Sequence, residues 1–294
     1  MSLVVTMIAG SGGEAALPDC VAALAAVLPG NPAPDWLAPG IACDLALDGL
    51  DRDPAEAMAR QAIGAAAIDV LIQPQAGRRK RLLIADLEST IIENEMLDEL
   101  ADFVGLRDKV SDITRRAMNG ELDFTAALAA RVALLKGLPA TVPDDAALRI
   151  RLMPGARELV ATMRATGAHT ALVSGGFTVF AEPIAKKLGF DQVSANRLVI
   201  EGGHIAGTVA DPIVTRETKV EVLTTLADRY GIDLSQTLAI GDGANDLPML
   251  QAAGLGIAFR AKPAVAAASR WRLDYSDLTG ALYAQGYRQL EIVG

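Results

Sequence analysis

The run LLIAD at 82–86 ends on an aspartate, and Glu88, Ser89 and Thr90 follow Asp86 directly. A carboxylate at the end of an apolar run can attack phosphorus and carry the phosphoryl group as an aspartyl-phosphate. Alone, such a cluster is more often a turn or a helix cap. Three more groups follow in order: SGGF at 174–177, Lys219 in a helical stretch, and GDGAND at 241–246. Ser174, Gly175 and Gly176 offer a hydroxyl and open backbone N–H groups at a helix start, a combination that suits phosphate oxygens. Lys219 brings a positive charge for a developing anion. Asp242, with Asp246 as a further carboxylate, supplies oxygen ligands for a hard octahedral cation such as Mg2+, which would screen an anionic nucleophile from an anionic phosphate. A calcium loop opened at Asp242 is excluded, because its twelfth position, which needs a bidentate Glu, is Ala253. Phosphate monoesters hydrolyse so slowly that a catalyst must remove roughly 20 kcal/mol of barrier, chiefly by placing and neutralising charge. The four groups together supply the parts for that.

To act together they must meet on one edge of the fold. LLIAD reads as a short strand buried on both faces, as in the middle of a parallel sheet. From Gly155 onward helix and strand alternate: a helix at 156–165, a strand at 169–174 and a helix at 177–188. A hairpin around Gly202-Gly203, a helix at about 216–230, a strand at 237–242 and a helix after Asn245 complete the series. Such repetition predicts an α/β fold with a doubly wound parallel sheet and right-handed crossovers. Ligands bind such sheets beyond the carboxyl ends of the strands, and Asp86, Ser174 and Asp242 each stand where a strand run stops. The stretch from about 92 to 150 carries helical patterning and no strand signal, which predicts a helical cap insertion. Residues 1–77 read in the order β-α-β-β-α-β, the pattern of a small ferredoxin-like α+β domain. The Pro, Gly and charge content of 73–81 marks the boundary, leaving 78–294 as the second domain. The basic run Arg78 to Arg81 reads as a solvated linker.

Composition narrows the function classes. The chain is 51% apolar and 21% charged, which excludes disorder. A net charge of −9 gives no whole-molecule attraction to nucleic acid or anionic lipid, and neither is expected as a partner. The two cysteines, Cys20 and Cys43, lack the spacing of a zinc or redox site and read as buried small residues. The first residues lack a basic leader, and no window reaches the roughly 18 apolar residues of a membrane span. A reducing, cytoplasmic setting is the expectation. His169 at a strand start and His204 after a Gly-Gly turn suit structural roles.

A longer string of motifs joins these groups: Glu95 in ENEMLDELA, Met118 in RAMNG, Phe124 in LDF, Arg131 in RVALLKGLP, SGGF, SANRL at 194–198 and GDGANDLPML. Over about residues 80–290 the chain resembles the haloacid dehalogenase superfamily, and within it the phosphoserine phosphatase family. The resemblance implies Asp86 as nucleophile and Mg2+ held by Asp86, Asp242 and the backbone carbonyl of Glu88, with Asp246 behind them. It implies that Ser174 and Lys219 hold the phosphate, with Gly175 and Asn245 completing that pocket, and that Met118 and Phe124 also contact substrate. O-phosphoserine carries an ammonium and a carboxylate besides its phosphate, so a selective pocket needs one anion and one bidentate cation; the family gives those roles to Glu95 and Arg131. One position departs from the pattern. The family usually has Asp where this chain has Glu88, the residue that protonates the leaving oxygen and then activates water. Its carboxylate stands one methylene farther out, leaving two outcomes: Glu88 does the same work, or the aspartyl-phosphate hydrolyses slowly and transfer to an alcohol is favoured. A phosphatase or phosphotransferase for another small phosphorylated metabolite, and a non-catalytic regulator, remain as alternatives. The N-terminal module resembles small amino-acid-binding regulatory domains, with sensing serine, pairing two chains as a homodimer, or stability alone as its open roles.

Overall fold

The computed structural model describes residues 2–294, arranged around two sheets. The smaller is built from β1 (Leu3–Ala9), β2 (Asp35–Ala38), β3 (Ala42–Leu47) and β4 (Ile68–Pro74), with α1 (Leu17–Val27) and α2 (Arg52–Ile63) as its crossovers. Its order is β2-β3-β1-β4 and every neighbouring pair is antiparallel, as the β-α-β-β-α-β order predicts. Side chains alternate across it with period two. Val5, Met7, Cys43, Leu45 and Ile72 pack beneath α1 and α2, whereas Ile8, Ala42 and Leu71 point the other way and join the hydrophobic cluster of the larger sheet. Both faces are therefore covered.

That second face explains why only half of the basic run is solvated as expected: Arg79 and Arg81 are exposed, whereas Arg78 and Lys80 turn inward. Asp44 and Thr6 lie buried on it, and a buried carboxylate needs a cationic partner. Arg78 supplies one, 2.5 Å from Asp44 and 2.8 Å from Thr6 Oγ1, and its guanidinium also donates to the Ala284 carbonyl. Lys80 is buried as well, donating to the carbonyls of Gly77 at 2.9 Å and Ser235 at 2.8 Å. Asp69 closes the same seam from the other side: its carboxylate accepts the backbone N–H groups of Asp274 at 2.8 Å, Tyr275 at 3.2 Å and Ser276 at 2.9 Å. Trp271 Nε1 donates to the Ile72 carbonyl at 3.0 Å.

The larger sheet has seven strands: β5 (Leu82–Ala85), β6 (His169–Phe177), β7 (Gln192–Glu201), β8 (His204–Ala210), β9 (Thr237–Gly241), β10 (Leu255–Phe259) and β11 (Trp271–Leu273). The order is β11-β10-β9-β5-β6-β7-β8, parallel throughout except for the β7–β8 hairpin. From β5 the chain builds outward through β6 and β7, then returns to the opposite side of β5 with β9. The crevice between β5 and β9 is thus the switch point where such sheets bind ligands. β6 runs on past the expected end at Ser174 to Phe177, because its register against β7 shifts between Val173 and Phe177 and the SGG segment bows out of the ladder.

After β5 the cap is wholly helical, as its patterning predicts: α3 (Met96–Asp102), α4 (Arg107–Met118), α5 (Phe124–Ala133) and α6 (Val142–Ala147). It is anchored to the hairpin, since Ile205 N donates to the Leu138 carbonyl at 2.8 Å and Gly137 N donates to that of Ile205 at 2.9 Å. The sheet is flanked by α7 (Ala156–Ala165), α8 (Thr178–Leu188), α9 (Arg216–Tyr230), α10 (Leu247–Ala252), α11 (Pro263–Ala268) and α12 (Gly280–Ala284). Among the described residues no helix is long and apolar enough to cross a membrane.

Two outcomes follow from this packing. Replacing Asp69 with Ala strands three backbone donors at the seam and should cost about 2–4 kcal/mol in urea denaturation, with Asp69→Asn losing less; unchanged stability would refute the clamp. Burial, helped by Asp44, pushes the Cys43 thiol up to about 12, so it should resist alkylation at pH 8 until the protein is denatured.

Candidate active site

β5 and β9 end side by side, and each delivers a carboxylate at its last turn. Asp86 N still donates to the Ile240 carbonyl at 3.0 Å, which holds the residue against β9. The chain then turns back sharply through Ser89, whose φ of +56° is left-handed and costs a non-glycine residue about 1–2 kcal/mol. The Ser89 hydroxyl offsets part of this by donating to Glu95 Oε1 at 2.7 Å. The turn brings Glu88 beside Asp86, where Met96 N donates to Glu88 Oε1 at 2.9 Å. The Glu88 carboxylate lies against Gly176, where a Cβ would stand 2.7 Å from Glu88 Oε2.

Beneath the strand ends sits a buried ionic cluster. Lys219, from the first turn of α9, donates to Asp86 Oδ1 at 2.5 Å and to Asp246 Oδ1 at 2.6 Å. Asp246 Oδ2 in turn accepts Gly243 N at 3.0 Å, so both its oxygens are committed. Gly241 is required here, since any Cβ would run into the Asp246 carboxylate. Asp86, Asp242 and Asp246 each present an oxygen within 4.8 Å of the others'. Among the described residues, Asp242 Oδ2 is buried without a hydrogen-bond partner, and Lys262 Nζ stands 3.3 Å from it as an ion-paired neighbour.

The charges respond to this crowding. Burial pushes Asp86 upward, with Lys219 opposing and Asp246 and Asp242 adding to the shift. Burial also works against the Lys219 ammonium, but Asp246 and Asp86 outweigh it and hold it above its ordinary value. Asp242 is pushed up to about 7 by burial and then by Glu95, with Lys262 opposing. Glu88 and Glu95 likewise rise to about 7, each by burial first and then by a neighbouring carboxylate, Asp86 for Glu88 and Glu88 for Glu95. So many carboxylates in one corner favour an added cation. Asp242 Oδ2, which makes no hydrogen bond and has only Lys262 beside it, offers such a cation a hard ligand, and the residues fit Mg2+.

A cavity opens above the cluster. Its floor includes Asp86, Asp242, Asn245, Gly175 and Gly176; Glu95, Met118, Phe124 and Arg131 face them from the cap side. Phe124 closes tightly on the loop, for a Cβ on Gly175 would lie 2.6 Å from its ring. Ser174, Lys219 and Asp246 do not line the cavity. Ser174 Oγ is buried and accepts Gly176 N at 2.9 Å, shaping the loop from behind. Arg131 is buried; its Nε donates to the Ala127 carbonyl at 3.0 Å and Nη1 to Thr114 Oγ1 at 2.9 Å. Among the described residues it has no carboxylate partner within hydrogen-bonding distance, though Glu88, Glu95 and Asp98 act on it through space.

Two supporting residues escaped the sequence reading. Asn196 bridges Gly175 O at 2.7 Å and Val214 N at 2.8 Å, fixing the SGG loop; its only signal was its place in SANRL. Lys262 follows β10 in an unremarked AKP turn, and nothing in its spacing tied it to Asp242.

A parallel sheet with carboxylates on both switch-point strands, beneath a helical cap, is the architecture of one class of hydrolase. The chain belongs to the haloacid dehalogenase-like hydrolases, whose family model matches residues 83–251. Within that class its similarity is to phosphoserine phosphatases. That of Lactococcus lactis is 47% identical over 199 residues, covering 68% of this chain and 92% of the relative. That of Mycobacterium tuberculosis is 45% identical over 227 residues, covering 76% of this chain; the chain spans only 56% of that relative's length. A haloacid dehalogenase family hydrolase from Salmonella enterica serovar Typhi superposes with a TM-score of 0.83 at 28% identity, covering 96% of this chain and 98% of the other.

The ionic cluster makes its own prediction. Lys219→Met leaves Asp86 and Asp246 buried without their shared ammonium and should cost about 3–5 kcal/mol of stability in chemical denaturation. A variant as stable as the parent would show that Lys219 is not what holds the two carboxylates together.

Proposed function

We propose that the protein is a magnesium-dependent phosphoserine phosphatase, hydrolysing O-phospho-L-serine to L-serine and phosphate in serine synthesis in the cytoplasm. The observation that carries this reading is Arg131: a buried guanidinium without a carboxylate partner, across a small cavity from Asp86 and on the same side as Glu95. A buried cation with unspent donors suits a ligand carboxylate, and Glu95 suits an ammonium. The phosphate then falls to the floor, against Asp86 and the Gly175–Gly176 loop. In this reading residues 1–77 are a ferredoxin-like domain docked on the catalytic one through the Asp44–Arg78 and Asp69 contacts.

Asp86 attacks phosphorus while the ester P–O bond breaks and Glu88 gives its proton to the departing serine oxygen. Water then attacks the aspartyl-phosphate, Glu88 takes the water's proton, and phosphate leaves with Asp86 restored. Lys219 opposes the burial that favours the protonated form of Asp86 and, by holding Oδ1, leaves the other oxygen to face the substrate. Magnesium, held by Asp86, Asp242 and the residue-88 carbonyl, would neutralise charge on the phosphoryl oxygens. The phosphate contacts of this reading come from the loop backbone and Asn245, with Ser174 and Lys219 supporting them from below. Glu88 suits both directions of proton transfer, since a group near 7 is populated in both forms at neutral pH.

Three measurements test this. Phosphate release from a panel of phosphorylated metabolites should favour O-phosphoserine and require magnesium; equal turnover of unrelated phosphates would sink the substrate assignment. Arg131→Ala should raise KM for O-phosphoserine by about 100-fold or more, the loss of a charge-assisted bidentate pair, while leaving aryl-phosphate hydrolysis nearly intact. The pH dependence follows from Glu88. Its acid form drives the first step, so phosphorylation of Asp86 should slow as pH rises through about 7; its base form drives the second, so dephosphorylation should slow below about 7. Pre-steady-state serine release should therefore show a burst at pH 6 and none at pH 8. The same kinetics at both values would remove Glu88 from the mechanism.

A further inference from the structure

Arg131 raises a problem that the phosphoserine reading leaves open. A buried guanidinium is costly without a counter-charge, yet a carboxylate bound directly to it would compete with the ligand's own carboxylate. The fold places the counter-charge one hydroxyl away. Asp98, on the first turn of α3, is buried and accepts Ser111 Oγ at 2.5 Å and Thr114 Oγ1 at 2.9 Å. Ser111 and Thr114 are three residues apart on α4 and share one face. Asp98 is not among the residues lining the cavity.

An ionised carboxylate only accepts hydrogen bonds, so the single proton of the Thr114 hydroxyl is committed to Asp98. Its lone pairs must then face Arg131 Nη1, 2.9 Å away. The Nε is committed in turn to the Ala127 carbonyl on its own helix. The guanidinium plane is thus fixed at two donors, by a neutral hydroxyl and a backbone carbonyl, and its Nη2 edge stays uncommitted. Asp98 also supports the Arg131 charge through space, as do Glu88 and Glu95.

We infer that Asp98 is a positioning residue for substrate choice: through Thr114 it orients Arg131 to receive the carboxylate of an amino-acid phosphate without occupying that site itself. The inference rests on the phosphoserine reading. It predicts that Asp98 matters for substrates that carry a carboxylate and little for those that do not. O-phosphoethanolamine is the matched probe, being O-phosphoserine without its carboxylate.

The experiment measures kcat and KM for both esters, with p-nitrophenyl phosphate as a control, in the full chain with magnesium. In wild type the ratio of kcat/KM values should strongly favour O-phosphoserine, and Arg131→Ala should collapse it. Asp98→Asn should lower the ratio roughly tenfold, as expected for one misaligned charge-assisted hydrogen bond, through KM for O-phosphoserine. Thr114→Val should reproduce that loss, and Thr114→Ser, which keeps the hydroxyl, should restore the ratio to within about twofold. The Thr114 pair decides the matter if Asp98→Asn fails to fold. A wild type without preference, or a ratio unmoved by Arg131→Ala, overturns the phosphoserine reading and this inference with it. A ratio lost in Arg131→Ala but intact in Asp98→Asn and Thr114→Val overturns the inference alone. Equal loss on all three substrates with a lowered melting temperature also overturns it, leaving Asp98 as a brace between α3 and α4.

Discussion

Three carboxylates, those of Asp86, Asp242 and Asp246, converge on one buried corner that contains a single fully buried ammonium, Lys219. Removing charges from water costs several kcal/mol apiece, so the corner depends on cations to offset its carboxylates. Lys219 satisfies Asp86 and Asp246, and Asp242 is left with an unpartnered oxygen and an ion-paired lysine at its side. A hard divalent cation fits that remainder. The balance also bears on the proposed chemistry, in which Asp86 acts as a nucleophile: Lys219 counters the burial that favours its protonated form.

The rest of the fold keeps the corner in register. β5 and β9 pair in parallel with Ala85 opposite Ile240, so Asp86 and Asp242 follow the two strand ends within one residue of the same level. Gly241, Gly175 and Gly176 each lie where a Cβ would collide with a functional group, respectively the Asp246 carboxylate, the Phe124 ring and the Glu88 carboxylate. The cap is held to the hairpin through Gly137, Leu138 and Ile205, which keeps Glu95 and Arg131 over the floor. The Glu88 carboxylate lies against Gly176 and accepts the Met96 N–H.

Much of this was legible in the sequence because it rests on local pattern. Apolar runs ending at Asp86 and Asp242 gave the strands and the sheet edge, helical periodicity over 92–150 gave the cap, and the split β-α-β order gave the smaller sheet. What escaped depends on contacts between distant segments. Arg78 looked like part of a solvated run because its partner, Asp44, is brought near only when the smaller sheet docks. Ser174 and Lys219, which the resemblance assigns to the phosphate, sit just below the lining of the cavity, a depth that sequence order does not show. Asn196, Lys262, Asp98 and Thr114 have no distinctive spacing, and their importance comes wholly from what they support.

The central claim is that Asp86 itself takes the phosphoryl group. Rapid acid quench of the enzyme turning over O-phosphoserine with magnesium, followed by peptide mass analysis, tests this directly. The account predicts a peptide containing Asp86 heavier by one phosphoryl group, labile to hydroxylamine and absent from Asp86→Asn. A phosphoryl group found on any other residue, or product formed without loss of rate in Asp86→Asn, would contradict it.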